Sequence, residues 1–318
     1  MTRSGSTIRR TLATRAAAVG AVAALVRSVT PFSLRTPHTG SSNTATIPTA
    51  AITTEDSNMF ERIQKRRGAG GPISVTLTMG ATGCSATTRA CETVASRNLI
   101  IEIPGSEKPE EIVVIGGHID SWDVGQGAVD DASGAFVAWG ALSAMKDLRI
   151  APKRTIRAVF WNGEENTGAG ADAYYAAHAN LENETHILAV ECDGGTWTPH
   201  GFQISEASVS AAAFAKLQEY GDQLSRLGAN DVSYGGAGAD VGIWCQLNET
   251  QQPGVPCGSL IVRDPITGEK PVGTPESSGY FWYHHTEADT MDALPRDQFD
   301  QTTAAFAAYA WTVAEFGL

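Results

Sequence analysis

The sequence predicts an α/β protein, a three-layer α/β/α arrangement around a mostly parallel central sheet. Residues 112–115 (Ile-Val-Val-Ile), 156–160 (Ile-Arg-Ala-Val-Phe) and 187–190 (Ile-Leu-Ala-Val) are short apolar runs with little polar alternation, as expected of strands covered on both faces. Each run stops on glycines and acidic or polar residues, the signature of a strand-to-loop edge. Longer segments of helical period lie between them, so strand and helix alternate along the chain.

Taken in order, residues 73–79 and 99–103 read as strands near one edge of the sheet, and 112–115, 156–160 and 187–190 as its centre. Residues 132–148 carry Phe136, Trp139, Leu142, Met145 and Leu148 at near-helical spacing and are expected to form a helix covering the sheet. Further helices are expected at 169–180 and 211–227, a late strand at 259–262, and a closing helix rich in alanine and aromatics at 296–316. Residues 244–278, rich in Pro, Gly and Gln, read as a surface insertion near the cleft, with Cys245–Cys257 as a candidate staple. There is no internal repeat. The glycine-rich stretches around Gly168 and Gly236 lack the fingerprints of nucleotide loops and read as close-approach turns.

The ends of these strands carry the chemistry. Residues 116–123, Gly-Gly-His-Ile-Asp-Ser-Trp-Asp, put His118 and Asp120 where an apolar run stops, with Asp130 a short way on. One imidazole nitrogen can take a metal while a neighbouring carboxylate holds the other. Glu164-Glu165 follow the second run, Asp193 before Gly194-Gly195 follows the third, and His284-His285 lie far downstream. Singly, most of these are more often solvated acids, turns or loops. Three of the four pieces, however, follow a predicted strand, and a parallel sheet gathers such loops at one edge. A shared metal site is the reading that explains both position and chemistry.

These residues, with the segment 117–128 (Gly-His-Ile-Asp-Ser-Trp-Asp-Val-Gly-Gln-Gly-Ala), resemble the zinc metallopeptidase family of bacterial leucyl aminopeptidases and carboxypeptidase Q. Residues 152–155 and 280–285 are similar to the carboxypeptidase Q branch, and the resemblance runs from about Thr54 to the C-terminus. It implies a zinc-exopeptidase fold and two zinc ions. His118 and Asp193 would hold one, Glu165 and His285 the other, and Asp130 would bridge them. Asp120 would support His118, Glu164 would be the general base, and the Asp130–Asp131 peptide would be cis. His285 is the expected ligand because it directly precedes the threonine of a His-Thr-x-x-Asp pattern, which leaves His284 for substrate contact alongside Tyr280 and Tyr283. Two ions ~4 Å apart can activate one water and stabilise an oxyanion, so the implied reaction is amide hydrolysis without a covalent intermediate. No Gly-x-Ser-x-Gly nucleophile motif is present. The expected substrate is a small peptide, foremost an unblocked dipeptide. An aminopeptidase of the same family, a single-zinc glutaminyl cyclase and an inactive or truncated peptidase fold are the alternatives.

Charge is uneven. The chain has 23 basic and 35 acidic residues, but six of the arginines precede the first acidic residue, Glu55, which leaves 17 basic against 35 acidic, a net of −18. A body so acidic repels polynucleotides, so no nucleic-acid partner is expected. Residues 1–50 read as a targeting-like or disordered segment ahead of a catalytic domain at 51–318. Their arginines and the apolar run 16–26 resemble a secretory signal, with an organelle transit peptide or a mis-joined gene model as the other readings. The run is too short for stable membrane insertion. Relatives in the resembled branch carry an inserted protease-associated domain, most of which this sequence is expected to lack, with Thr53–Asp56 marking where that insertion ends; a homodimer is left open. Of five cysteines, Cys84/Cys91 and Cys245/Cys257 could each close a local loop and leave Cys192 free, with five reduced thiols as the other reading; the usage leans to an oxidising compartment, so secretion or an endomembrane lumen is expected.

Overall fold

The structure, a computed structural model, describes residues 5–30, 34–40, 47–80, 94–179, 181, 183–236, 238–245, 254–269 and 279–318. Helix α1 (Gly5–Ala18) leads to β1 (Ala24–Arg27), which pairs in parallel with β2 (Thr49–Ile52) ahead of α2 (Thr54–Arg67). Thr53 caps α2, its hydroxyl accepting from the Asp56 N–H at 2.9 Å, and Glu55 and Asp56 in the first turn complement the helix dipole.

The main sheet comprises β3 (Leu99–Ile103), β4 (Lys108–His118), β5 (Arg154–Trp161), β6 (Thr185–Glu191), β7 (Pro199–Ile204), β8 (Asp231–Tyr234) and β9 (Cys257–Val262), in the spatial order 3-5-4-6-9-7-8. β4 lies between β5 and β6, parallel to both, and β9 continues parallel beside β6. β3 pairs antiparallel with β5 at one edge, and β7 pairs antiparallel with β9. The three runs read as central strands are those at the centre, because no residue in them has to face water.

Their side chains divide between two apolar clusters. Val113, Ile115, Ile156, Ala158, Leu188 and Val190 pack beneath α3 (Ser133–Asp147), α5 (Ala211–Asp222) and α6 (Arg296–Phe316). Ile112, Val114, Val159, Trp161 and Ala189 face the opposite side, towards α4 (Ala169–His178) and Trp244. Each buried Val, Ile or Leu contributes about 1.5–3 kcal/mol. Among the described residues no helix is long and apolar enough to cross a membrane.

The structure differs from several expectations. Residues 73–79 form no strand; they run as mostly exposed coil, and no strand among the described residues pairs with them. Helix α3 turns Val137, Ala138, Ala141, Leu142 and Met145 inward, while Phe136 and Trp139 remain about half exposed and Leu148 lies beyond its end. Val137, Ala138 and Ala141 let the helix approach the sheet closely, and Phe136 and Trp139 line its outer flank. Of the segment 244–278, expected as a surface insertion, the described residues 244–245 and 254–269 are partly core: Trp244, Cys245 and Cys257 are buried, Cys245 and Cys257 are disulfide-bonded, and β9 lies inside the sheet; the remainder lies outside the described residues. Cys84 and Cys91 lie outside the described residues, and Cys192 is a buried free thiol. β7 and β8 carry proline, histidine, glycine and aspartate, which mask a strand pattern in sequence. The boundary expected at 50/51 falls within β2, and the expected leader contributes a helix, a strand and the buried residues Ser28, Thr30 and His38.

Candidate metal centre

The carboxyl ends of β4, β5 and β6 supply the site, as a parallel sheet requires. β4 ends on His118, whose Nδ1 lies 2.9 Å from the main-chain oxygen of Asp120. With Nδ1–H donating there, the Nε2 lone pair faces Asp130 Oδ1 at 3.3 Å and Asp193 Oδ1 at 3.8 Å. Asp193 follows β6, and Asp130 sits in the turn Ala128–Ala132 that opens α3. The Asp130–Asp131 peptide is cis, as the resemblance implies. Asp289 holds this turn from below, its carboxylate accepting from the N–H groups of Val129 at 2.6 Å and Asp130 at 3.2 Å. The Asp131 carboxylate turns inward to accept from the N–H of His118 at 3.0 Å and of Gly134 at 3.2 Å.

Across Asp130 stands the second half of the site. His285 Nε2 lies 2.9 Å from Glu165 Oε2 and 3.3 Å from Asp130 Oδ2, and His284, stacked on His285, lies 3.6 Å from the same oxygen. Asp130 therefore presents one carboxylate oxygen to each half. Trp122, Asp130, Glu164, Glu165, Asp193, Tyr280, His284 and His285 are among the residues lining a cavity of about 270 Å³. Tyr283 is not part of that lining; it packs on Trp197, with ring centroids 6.1 Å apart.

Asp120 meets His118 through its main-chain carbonyl, with its side chain further off. Its carboxylate lies 3.8 Å from His118 Nδ1 and is spent elsewhere, accepting from the N–H groups of Gly163 at 2.7 Å, Glu164 at 3.1 Å and Glu165 at 3.3 Å. The main-chain carbonyl of Asp120 orients His118, while its side chain shapes the turn that carries Glu164 and Glu165. A strand-end geometry brings the carbonyl closer to the ring than the side chain of the same residue.

The electrostatics suit a cation. Burial, together with neighbouring Asp131 and Asp130, pushes the Asp193 carboxyl well above its ordinary range, and burial with the charges of Asp130 and Glu191 does the same to Asp131. Asp130 is held low despite its burial by the three histidines around it. Burial alone would depress His118, but Asp130, Asp193 and Asp131 overcome it and raise its affinity for a proton. Behind the site, burial pushes Glu191 up to about 7 and, with the Glu191 charge, Asp240 up to about 8. Asp130 Oδ2 and Glu165 Oε1 are buried and accept no hydrogen bond. Carboxylate oxygens without donors and imidazole nitrogens converging on them are what metal ions compensate. His118, Asp130 and Glu165 form one cluster with ligand atoms within 4.8 Å of one another; His118, Asp131 and Asp193 form another, and Asp130, His284 and His285 a third. The hydrogen bonds of Asp131 to main-chain amides mark it as a support for the loop.

A profile of peptidase family M28 matches residues 98–310. The chain belongs to peptidase family M28. It is 41% identical over 308 residues to carboxypeptidase Q of Mus musculus and 39% identical to that of Homo sapiens, in each case over 95% of this chain and 58% of the relative. The chain thus spans 58% of the length of the curated relatives it matches. The unmatched 5% is far fewer than fifty residues, so the match with these relatives extends into the first fifty. Among solved structures, a peptidase M28 precursor from Shewanella amazonensis superposes with a TM-score of 0.76 at 29% identity, covering 98% of this chain and 64% of that one. A zinc aminopeptidase from Bacillus subtilis shares the fold, with a TM-score of 0.61 at 18% identity, covering 99% of this chain and 69% of that one.

The expected ligands His118, Asp130, Glu165, Asp193 and His285 are brought to one cavity edge, with Glu164 beside them. The sequence reading missed the supporting roles of Asp131 and Asp289 and the buried pair Glu191 and Asp240. Asp289 had a visible signal as the last residue of the His-Thr-x-x-Asp pattern. Glu191 and Asp240 are far apart in sequence and meet only in the fold.

Proposed function

We propose that the chain is a two-zinc exopeptidase that hydrolyses small peptides, foremost unblocked dipeptides, with Glu164 as general base. The observation that carries this reading is the pair of imidazole Nε2 atoms, of His118 and His285, each 3.3 Å from an opposite oxygen of one Asp130 carboxylate. His118 and Asp193 would hold one ion, Glu165 and His285 the other, and Asp130 would link them. Zinc at these positions would supply Lewis acidity, lowering the pKa of a water and polarising the substrate carbonyl.

The remaining work falls to the chain's own groups. Glu164 lines the cavity, and burial raises its pKa, which suits a carboxylate that must accept a proton and return it. It takes the proton of the attacking water and delivers it to the leaving amine. The Asp120 carboxylate holds the Glu164 and Glu165 amides, so base and ligand are positioned by one residue. Tyr280 and His284 face the same space and are the contacts proposed for a substrate terminus or the developing oxyanion. A cavity of about 270 Å³ is small for a ligand site and favours short peptides. The names of the curated relatives support the carboxypeptidase reading, while the aminopeptidase fold neighbour keeps the opposite polarity in view. The Cys245–Cys257 disulfide fits a secreted or lumenal enzyme.

The test is zinc-dependent hydrolysis of a panel of unblocked, N-acetylated and C-amidated dipeptides, with Glu164→Gln as the paired control. Wild type should cleave the unblocked members, and the variant should lose about 10²–10⁴-fold in kcat while keeping its zinc. Cleavage of N-acetylated members would indicate carboxypeptidase action, and of C-amidated members aminopeptidase action. A folded, zinc-loaded wild type that cleaves none of them would overturn the reading.

A further inference from the structure

We infer that the loop at residues 37–40 is a positioning element of the metal centre, holding His285 through the main chain of Thr39. This rests on the zinc reading above. The Thr39 N–H donates to the His285 carbonyl at 2.9 Å, and the Thr39 carbonyl lies 3.3 Å from His285 Nδ1. One residue is therefore tied to both the backbone and the ring of a ligand 246 positions away in sequence.

The two bonds act on different properties of His285. Its φ is +60°, a left-handed conformation that a residue with a β-carbon seldom adopts without outside support. The Thr39 N–H satisfies the carbonyl that this turn redirects. Donation from Nδ1–H to the Thr39 carbonyl fixes the tautomer and leaves the Nε2 lone pair facing Glu165 and Asp130. His118 gains the same control from Asp120, two residues along its own strand end. Among the described residues, the partner of His285 Nδ1 is the Thr39 carbonyl, supplied by the loop preceding β2.

That loop is itself anchored. Ser28 beyond β1 accepts from the His38 N–H at 3.3 Å, the Ser28 N–H donates to Ile52 at 3.1 Å, and Thr54 donates to the Thr30 carbonyl at 3.0 Å. Ser28, Thr30, His38 and Thr54 are all buried. The β1–β2 pair thus presents Thr39 from a fixed base, and the segment that reads as a leader in sequence is part of the site.

The experiment uses the full chain and Thr39→Pro, which deletes the donor N–H and reshapes the residue before it. Zinc dissociation constants are read by chelator competition, with His285→Ala identifying which constant belongs to the Glu165 side. The ion on the Glu165 and His285 side should bind about 10–100-fold more weakly in Thr39→Pro, with the His118 and Asp193 side unchanged. Unchanged binding of both ions, or equal weakening of both, overturns the proposal. Should Thr39→Pro fail to fold, hydrogen exchange of the His285 Nδ1–H in zinc-loaded wild type decides. Slow exchange is expected, and exchange as fast as a free imidazole overturns the proposal. A wild type that takes up no zinc removes the reading beneath it, a result distinct from either failure.

Discussion

At the residue scale, one group does different work through its main chain and its side chain. Asp120 offers its carbonyl to His118 and its carboxylate to the amides of Gly163, Glu164 and Glu165. This separation makes Asp120→Asn informative. The carbonyl survives the change, so zinc on the His118 side should be retained; the charged acceptor is lost, so kcat should fall by about 10–100-fold as the Glu164 turn loosens. Metal analysis beside steady-state kinetics checks both parts. Loss of zinc from the His118 side would return the Asp120 side chain to the role that the sequence suggested.

At the element scale, the site depends on how closely α3 approaches the ends of β4 and β6. Gly134, in the first turn of α3, sits where a β-carbon would run into the Cys192 carbonyl and meet both Asp131 carboxylate oxygens at 2.6 Å. The carbonyl belongs to backbone held in the sheet, and Asp131 is bonded to His118 and Gly134 itself, so neither can yield cheaply. Gly134→Ala is expected to cost about 1–3 kcal/mol, which for a domain of this size lowers Tm by roughly 2–4 °C per kcal/mol. Calorimetry checks it, and an unchanged Tm would mean the helix can back away from the sheet. Near its start α3 turns Val137, Ala138 and Ala141 inward and leaves the larger Phe136 and Trp139 about half exposed, while Leu142 and Met145 fill the core further along. Helical period identifies the element, but a helix with apolar residues on several faces leaves open which of them turns inward.

At the scale of the whole molecule, the buried acids make stability depend on pH and on metal together. In the folded chain Glu191 is pushed up to about 7 and Asp240 to about 8, both mainly by burial. A carboxyl whose folded pKa lies above its unfolded value stabilises the fold while protonated and loses that contribution as pH rises towards the folded pKa. His118, raised by its carboxylate neighbours, acts in the same direction. The zinc-free chain should therefore lose Tm as pH rises from about 5 to about 8, and zinc should flatten that slope by countering the negative charge. Thermal melts with and without chelator across this range measure it. A zinc-free chain that gains stability with rising pH would contradict the assignment of these buried groups.

The sequence by itself determined the layered α/β architecture and most of the ligand chemistry. Ile112 to Ile115 and Ile187 to Val190 are apolar on both faces, and Ile156 to Phe160 is so apart from Arg157, which is buried against Glu102 and Glu184; the interior of a covered sheet satisfies such runs. The proposed ligands His118, Glu165 and Asp193 were legible because each lies within a few residues of a strand end, where local order places it at one edge. What the tertiary structure decided lies at long range. Thr39 meeting His285, Glu191 lying near Asp240, and the split roles of Asp120 depend on how distant segments dock. Residues 1–50 illustrate the limit, since their arginines and the apolar run at 16–26 carry the composition of a leader. Composition records how apolar a segment is, but hydrogen bonds to partners hundreds of residues away determine what the segment holds in place.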